Sequence, residues 1–565
     1  MIAELEASGA GAAPAAPQHS RPFALFVALG IFLSRIFGLV RQRVLAHYLG
    51  DSMAAGAFVA AFRIPNFLQN LFGEGVLSAS FIPVYAKLLA KGDEKTAGRV
   101  AGAIASLLAL VVGVLVLVGM LASPLLVSAI APGFSGEARA LTVRMVRILF
   151  PGAGLLVLSA WCLGILNSHR RFFLSYVAPV FWNLAMIATL ILFGGRLGLE
   201  SLAVALAWGS VAGSFLQFAI QLPTVFRVAP VIRFRMDTAL EPVRQVIRNF
   251  GPVVMGRGVV QVSAFVDEII VSFLGASSVA ILGFAQTLYM LPISLFGMSI
   301  AASELPQMSS VLGTSEEVAE TLRRRLAAGL RQILFLIVPT VFAFVVIGNV
   351  LVAGIYQTGR FGPESTMLVW YVLAAAALGL PAVTLGRLYS STFYALGDTR
   401  TPLKFAVVRV AVSALLAWLL ALVFRDLFVA VFGWLGLPLP EIDPAVASTV
   451  SIGVVGVVLG SSVGGWVEYL LLRRSIAIRI GAASVGGGLM VKLIIAAVAG
   501  SAAGLLSAGP FVPRVRALVT GGFGLDLLAA ACAVAFVFGA TYLGVAALLR
   551  VPESGALLRR LRLRR

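Results

Sequence analysis

Apolar residues run along this chain in long, nearly unbroken stretches instead of alternating with polar ones. Bounded by charges or by Gly/Pro turns, the stretches fall at 23–46, 56–86, 100–130, 143–166, 172–195, 198–222, 250–274, 279–308, 328–356, 365–396, 402–423, 444–472, 486–507 and 524–549. As an α-helix rising about 1.5 Å per residue, a run of about 20 residues crosses the roughly 30 Å hydrocarbon core of a bilayer. Several runs are longer than that, which predicts tilt or extension beyond the membrane. The short alternating segments of a membrane β-barrel are absent. The pattern predicts an all-α polytopic membrane protein of about 14 transmembrane helices.

Charge supports that count. With the N-terminus in the cytoplasm, 27 Lys and Arg residues fall in cytoplasmic segments, against six on the other side: Arg139, Arg196, Arg360, Arg425, Arg514 and Arg516. This is the positive-inside bias, and an odd number of spans would destroy it. It predicts a multi-pass protein of the cytoplasmic (inner) membrane with both termini cytoplasmic. Of 565 residues, 60% are hydrophobic and 12% charged, well outside the range of soluble domains. The net charge of +19 would suggest nucleic acid in a soluble chain. Here it sits mostly in short loops, and no nucleic-acid partner is implied.

The organisation predicted is a disordered tail over 1–21, a six-helix lobe over 22–223, a basic cytoplasmic linker over 224–249, a second six-helix lobe over 250–475, two additional helices over 476–550 and a basic tail over 551–565. The first apolar run lacks a basic n-region and a cleavage site, so it reads as a retained span, not a signal peptide. A weak repeat relates the lobes: "LFGEGVLSASFIP" at 71–83 resembles "LFGMSIAASELP" at 295–306. Six helices per unit makes the two pseudo-repeats parallel, which places a binding site at the interface of the halves.

Charges inside spans are costly and mark function. Arg35, Arg41 and Arg63 lie deep in the first two spans with no acid close to them in sequence. Arg43, Arg144, Arg147, Arg387 and Glu304 are near enough to an interface to snorkel. Arg257 and Asp267 share the seventh span ten residues apart, about 15 Å along a helix, so each needs another partner. Arg409 has no assignable role from sequence. A cavity rich in arginine suits a phosphate-type anion, because the planar guanidinium donates two parallel charged hydrogen bonds. No GxxxxGK[ST] string supports ATP use. No nucleophile–base pairing or metal-ligand spacing argues for an enzyme.

The strings "SRIFGLVRQRVLAHYLG" (34–50), "AFRIPNFLQNLFGEGVLSASFIPVYAKLL" (61–89) and "FYALGDTRTPLK" (393–404) resemble the MurJ (MviN) family, lipid II flippases of the multidrug/oligosaccharidyl-lipid/polysaccharide exporter superfamily. The resemblance covers roughly 30–475. It implies alternating access by a V-shaped bundle that carries undecaprenyl-diphosphate-linked disaccharide-pentapeptide. The lipid-linked cell-wall precursor and membrane lipids would be its partners, with the cell-wall synthesis machinery a further candidate. It implies that Arg35, Arg41 and Arg63, with Arg257 as a replacement cation, hold the diphosphate, and that Glu74 belongs to the same cavity. The family's pattern is broken at Gly56, where an Asp is usual, at Gln69 and Thr287, where arginines are usual, and at Gln42, where an acid is usual. The family's sodium site would use Asp267, but the eleventh span lacks the Asn or Asp expected to complete it. Export of another lipid-linked glycan, or a non-transporting paralogue, is the alternative.

Overall fold

The computed structural model describes residues 21–263, 265–311, 313–434, 436, 438, 452–518 and 522–555. The predicted N-terminal tail and most of the C-terminal tail lie outside that set. The described chain is helical, with one isolated bridge between Thr358 and Phe361. Its principal helices are α1 (Arg21–Leu49), α2 (Met53–Phe72), α3 (Glu94–Leu121), α4 (Gly136–Ser168), α5 (Phe172–Phe193), α6 (Leu199–Val228), α7 (Glu241–Ser263), α8 (Ala276–Pro292), α9 (Ser315–Val346), α10 (Pro363–Ala395), α11 (Arg400–Trp418), α12 (Gly453–Ile480), α13 (Gly487–Leu518) and α14 (Leu525–Leu548).

Among the described residues, eleven helices are long and apolar enough to cross a membrane. That set supports a polytopic membrane protein without reaching the full count of fourteen. α1 and α7 run partly through residues whose side chains are not described. α2 is too polar, because Arg63, Asn66, Gln69 and Asn70 follow one another along it and Gly73 ends it. The chain continues past α2 in two short helices, Glu74–Ser80 and Ile82–Ala90.

We call the end of the bundle where α1 begins the near end and the end where it stops the far end. At the far end α3, α7, α9 and α11 each give way to a short helix: Ser123–Ile130, Val266–Ser272, Gly348–Tyr356 and Arg425–Trp434. Polar caps set several helix starts. Asp93 accepts the Thr96 N–H at 3.0 Å before α3, and Thr314 forms a reciprocal capping box with Glu317 before α9.

Two helix groups result. In the first, α4 packs against α2, α3 and α6, and α5 against α1 and α6; in the second, α10 packs against α8, α9 and α12, and α11 against α12. α4 and α10 are each the fourth helix of their half and the most buried spans, with 78% and 72% of their apolar windows inside the protein. The two repeated strings match in a second way: each departs from regular helix. The first contains the break at Gly73, and the second begins within the π-helical turn Ile293–Met298 that joins α8 to Ser299–Ser309. α13 and α14 pair with each other, with α13 against α9 and α14 against Gly348–Tyr356.

The segment between α6 and α7 lies across the near end of α3. Gly98 and Gly102 leave no room for a side chain there, because the carbonyls of Val231 and Arg233 press on them. Arg99 pairs with Asp237 at 2.6 Å beside this contact.

Candidate functional site

The two helix groups meet closely at the far end. Arg43, only 9% exposed, donates to the carbonyls of Gly354 and Ile355, the latter at 2.8 Å, and to those of Phe523 and Gly524, the latter also at 2.8 Å. Those groups end the Gly348–Tyr356 helix and line the turn before α14. The cation therefore satisfies orphaned carbonyls where a helix stops. Sequence had placed Arg43 near an interface, where it could snorkel; it is instead a buried tie between α1 and the second group. Arg360 donates its N–H to the His47 carbonyl at 2.9 Å, and the His47 ring bonds the Thr358 hydroxyl at 2.8 Å. Gly133 donates its N–H to the Ser272 hydroxyl at 3.1 Å. Gly56, expected in the cavity, lies in this seal instead: a methyl group there would collide with the Ala276 carbonyl.

Deeper in, two polar chambers adjoin. The first, about 650 Å³, lies among α1, α2, α4, α5 and α6, and is lined by Ser34, Arg41, Gln69, Glu74, Trp182, Asn183 and Gln217. The second, about 350 Å³, lies among α2, the short helix Val266–Ser272, α8, α10, α11 and α12, and is lined by Arg63, Asp267, Gln286, Tyr289, Arg387, Arg409, Ser413 and Ser461. Asn66 and Asn70 of α2 line both. One helix face thus serves both chambers, because residues four apart stack on an α-helix.

Arg41 lies over the Trp182 ring, 4.8 Å from its centroid, with a weak contact to the Met186 sulfur at 3.9 Å. Such a cation–π contact contributes about 0.5–2 kcal/mol. Among the described residues no carboxylate pairs with it. Asn183 is 4% exposed; its Oδ1 lacks a partner and it lines the same chamber.

Arg63 is engaged differently from expectation. It pairs with the fully buried Glu268 at 2.5 Å and donates to the Gln286 side chain. It therefore joins α2 to the short helix after α7 and to α8, in place of presenting a bare cation. Arg35 is exposed and lines neither chamber. The Arg257 side chain lies outside the described residues. Gln69 and Glu74 line the first chamber. Thr287 lines neither; its hydroxyl accepts from Gln42 Nε2 at 3.0 Å. Two departures from the family's charge pattern are thus each other's partners. The acid expected on α1 and the base expected on α8 are missing together, replaced by a neutral hydrogen bond. Arg409, which sequence left unassigned, and Arg387, which sequence had placed near enough to an interface to snorkel, both line the second chamber. Arg409 pairs with Glu468 at 3.2 Å.

Asp267 accepts a hydrogen bond from the Ser461 hydroxyl and lines the second chamber. Its surroundings do not fit a sodium ion. No group of three or more His, Cys, Asp or Glu exists among the described residues, and the charges acting on Asp267 are the guanidiniums of Arg409 and Arg63. A cation there would meet built-in cations already facing the carboxylate.

Outside the spans, the α10–α11 turn is organised by Asp398. It accepts from the N–H groups of Arg400 and Thr401, both at 3.0 Å, from the Thr401 hydroxyl at 2.6 Å, and from Arg479 of α12 at 2.6 Å. Gly397 before it has φ +75°, which favours glycine. The Thr401 hydrogen bonds and the Arg479 charge hold the Asp398 carboxyl well below the usual carboxylate range.

The family model described as "Lipid II flippase MurJ" matches residues 45–508. A probable lipid II flippase MurJ of Rhizobium meliloti (strain 1021) is 30% identical over 89% of this chain and 90% of its own length. A lipid II flippase MurJ of Burkholderia cenocepacia is 31% identical over 78% of this chain and 81% of its own. A solved lipid II flippase MurJ in its inward closed conformation superposes with a TM-score of 0.70 and 22% identity, covering 93% of this chain and 98% of that one. An inward-facing multidrug-resistance MATE family transporter of the MOP superfamily gives a TM-score of 0.59 at 17% identity, covering 82% of this chain and 100% of that one. At these identities the solved structures establish the fold.

Proposed function

The chain belongs to the lipid II flippase MurJ family, and we propose on that premise that it moves lipid II, a lipid-linked cell-wall precursor, from the inner to the outer leaflet of the cytoplasmic membrane by alternating access. The near end is then cytoplasmic, as the distribution of basic residues requires. The chain acts as a transporter and not as an enzyme. The observation that carries this reading is Arg41. A guanidinium held against Trp182, paired with no described carboxylate, lines a polar chamber of about 650 Å³ on the near side of a closed far end.

Arg41 supplies the charged fork for a diphosphate oxygen pair. Asn66, Asn70, Gln69 and Gln217 offer neutral donors and acceptors for sugar hydroxyls around it. With the far end closed, the head group enters from the near side; release requires the far-end contacts to part and new ones to close beneath. Carrying roughly two negative charges outward gains about 4–5 kcal/mol at 100 mV, at about 2.3 kcal/mol per charge. The membrane potential therefore suffices to bias the cycle without ATP or sodium.

Two measurements test this. The full chain should restore growth to cells depleted of their own lipid II flippase. In vesicles, translocation of lipid II should slow when the potential is collapsed; a rate unchanged by that collapse would remove the potential as the driving force. Failure of the chain to translocate or bind lipid II would remove the substrate assignment.

A further inference from the structure

The second chamber holds cations that the diphosphate reading does not use. Arg387 on α10 is exposed and lines it, and its guanidinium forms no ion pair or hydrogen bond with a described residue. Arg409 and Ser413 lie four residues apart on α11, hence on one face of that helix, and both line the chamber. Arg409 is held at 3.2 Å by Glu468, which fixes its direction while leaving part of its donor set unused. Ser413 is 6% exposed, and its hydroxyl lies against Gly464 of α12, with no accessible surface on the chamber side. Two guanidiniums facing one space make an oxyanion site.

This site is separate from Arg41, which lines the other chamber, and the two are joined along α2 at Asn66 and Asn70. We propose that Arg387 and Arg409 form a second oxyanion subsite, which takes a free carboxylate of the substrate's peptide while the diphosphate is held at Arg41. The proposal rests on the reading that the substrate is a lipid-linked diphosphate carrying a peptide. The mixed lining favours the peptide over a second phosphate. Asp267 and Ser461 share the chamber with the arginines. A carboxylate there repels a multiply charged phosphate, whereas peptide N–H groups can donate to it. The division also matches the sizes, with the larger chamber left for the diphosphate and sugars.

Binding to the purified full chain would be measured with two probes: lipid II, and undecaprenyl diphosphate carrying the same disaccharide without peptide. The peptide-free lipid tests the diphosphate reading alone. If the wild type fails to bind it, that reading falls and the subsite falls with it. Given that binding, Arg387→Gln should weaken lipid II by about tenfold to a hundredfold, the loss expected for a charge-assisted hydrogen bond. It should change the peptide-free lipid by less than about twofold. Equal weakening of both probes would assign Arg387 to the diphosphate and overturn the proposal, as would no weakening of either. Arg387→Lys keeps the charge while losing the planar fork and serves if Arg387→Gln does not fold. It should weaken lipid II alone, by about fivefold.

Discussion

Removing the Glu268 carboxylate should unfasten the far end. Glu268 is fully buried, and its 2.5 Å pair with Arg63 is a direct tie between α2 and the helices that follow α7. Glu268→Ala leaves Arg63 inside the protein with Gln286 as its remaining partner. Breaking one side of a buried ion pair costs about 3–5 kcal/mol. Arg63 keeps 24% of its side-chain surface exposed towards the chamber, which places the cost near the lower end, about 3 kcal/mol. The pair exists only while α2 and the second group are in register, so most of that cost falls on the closed state. At 1.4 kcal/mol per tenfold, the closed-to-open ratio should drop by roughly a hundredfold. The assay is the reaction of Ala276→Cys, at the buried contact with Gly56, with a membrane-impermeant thiol reagent, after Cys162 and Cys532 are replaced. Glu268→Ala should speed labelling by about one to two orders of magnitude. The double variant Arg63→Met, Glu268→Leu should label about as slowly as wild type, because a buried pair exchanged for apolar groups is often neutral. Labelling of Glu268→Ala at the wild-type rate would refute the argument, since the pair would then contribute nothing to closure.

Three further outcomes follow from other contacts. Gly56→Ala should speed the same labelling and reduce translocation, because its methyl group cannot coexist with the Ala276 carbonyl in the closed state; a slow-labelling, active variant would show that the seal yields easily. Arg41→Lys should lose most lipid II binding despite keeping its charge, since the ammonium lacks the fork and stacks less well on Trp182; full binding would show that charge alone suffices. Asp398→Asn should lower the unfolding temperature at pH 7. The Asp398 carboxyl titrates below its unfolded value of about 4, so its contribution is present above that pH and is lost as pH falls through the depressed folded value. The gap between variant and wild type should therefore narrow in acid, and a gap constant with pH would refute the assignment.

The membrane class was legible because long apolar runs admit few other structures, and the 524–549 run lies within a residue of α14. Boundaries were less legible where polar residues are helical. α9 begins at Ser315, thirteen residues before the predicted edge, because its capping box starts the helix in a charged stretch that hydropathy cannot see. The span predicted at 250–274 divides between α7 and Val266–Ser272, and α7 begins nine residues earlier in an amphipathic run. Among the site residues, Arg41 is an isolated deep cation in sequence and in space. Arg63 was isolated only in sequence: its carboxylate is 205 positions away. Arg43, Gln42 and Thr287 raise the same difficulty. Their partners come from distant helices, and only packing reveals that one cation closes a helix end and that two neutral residues replace a missing ion pair. Arg387 and Arg409 carried no signal beyond their charge.

The close approach of residues 231–233 to Gly98 and Gly102 means that the passage between the two halves has no slack near α3. A spin label placed on that stretch would report the orientation of the first six helices and not of an independent tether. Residues inserted between Val231 and Asp237 would have to bulge away from a surface that admits no side chain. From that anchored stretch the chain passes into α7, which packs against the Glu74–Ser80 helix of the opposite group and so adds a second tie between the halves at this end.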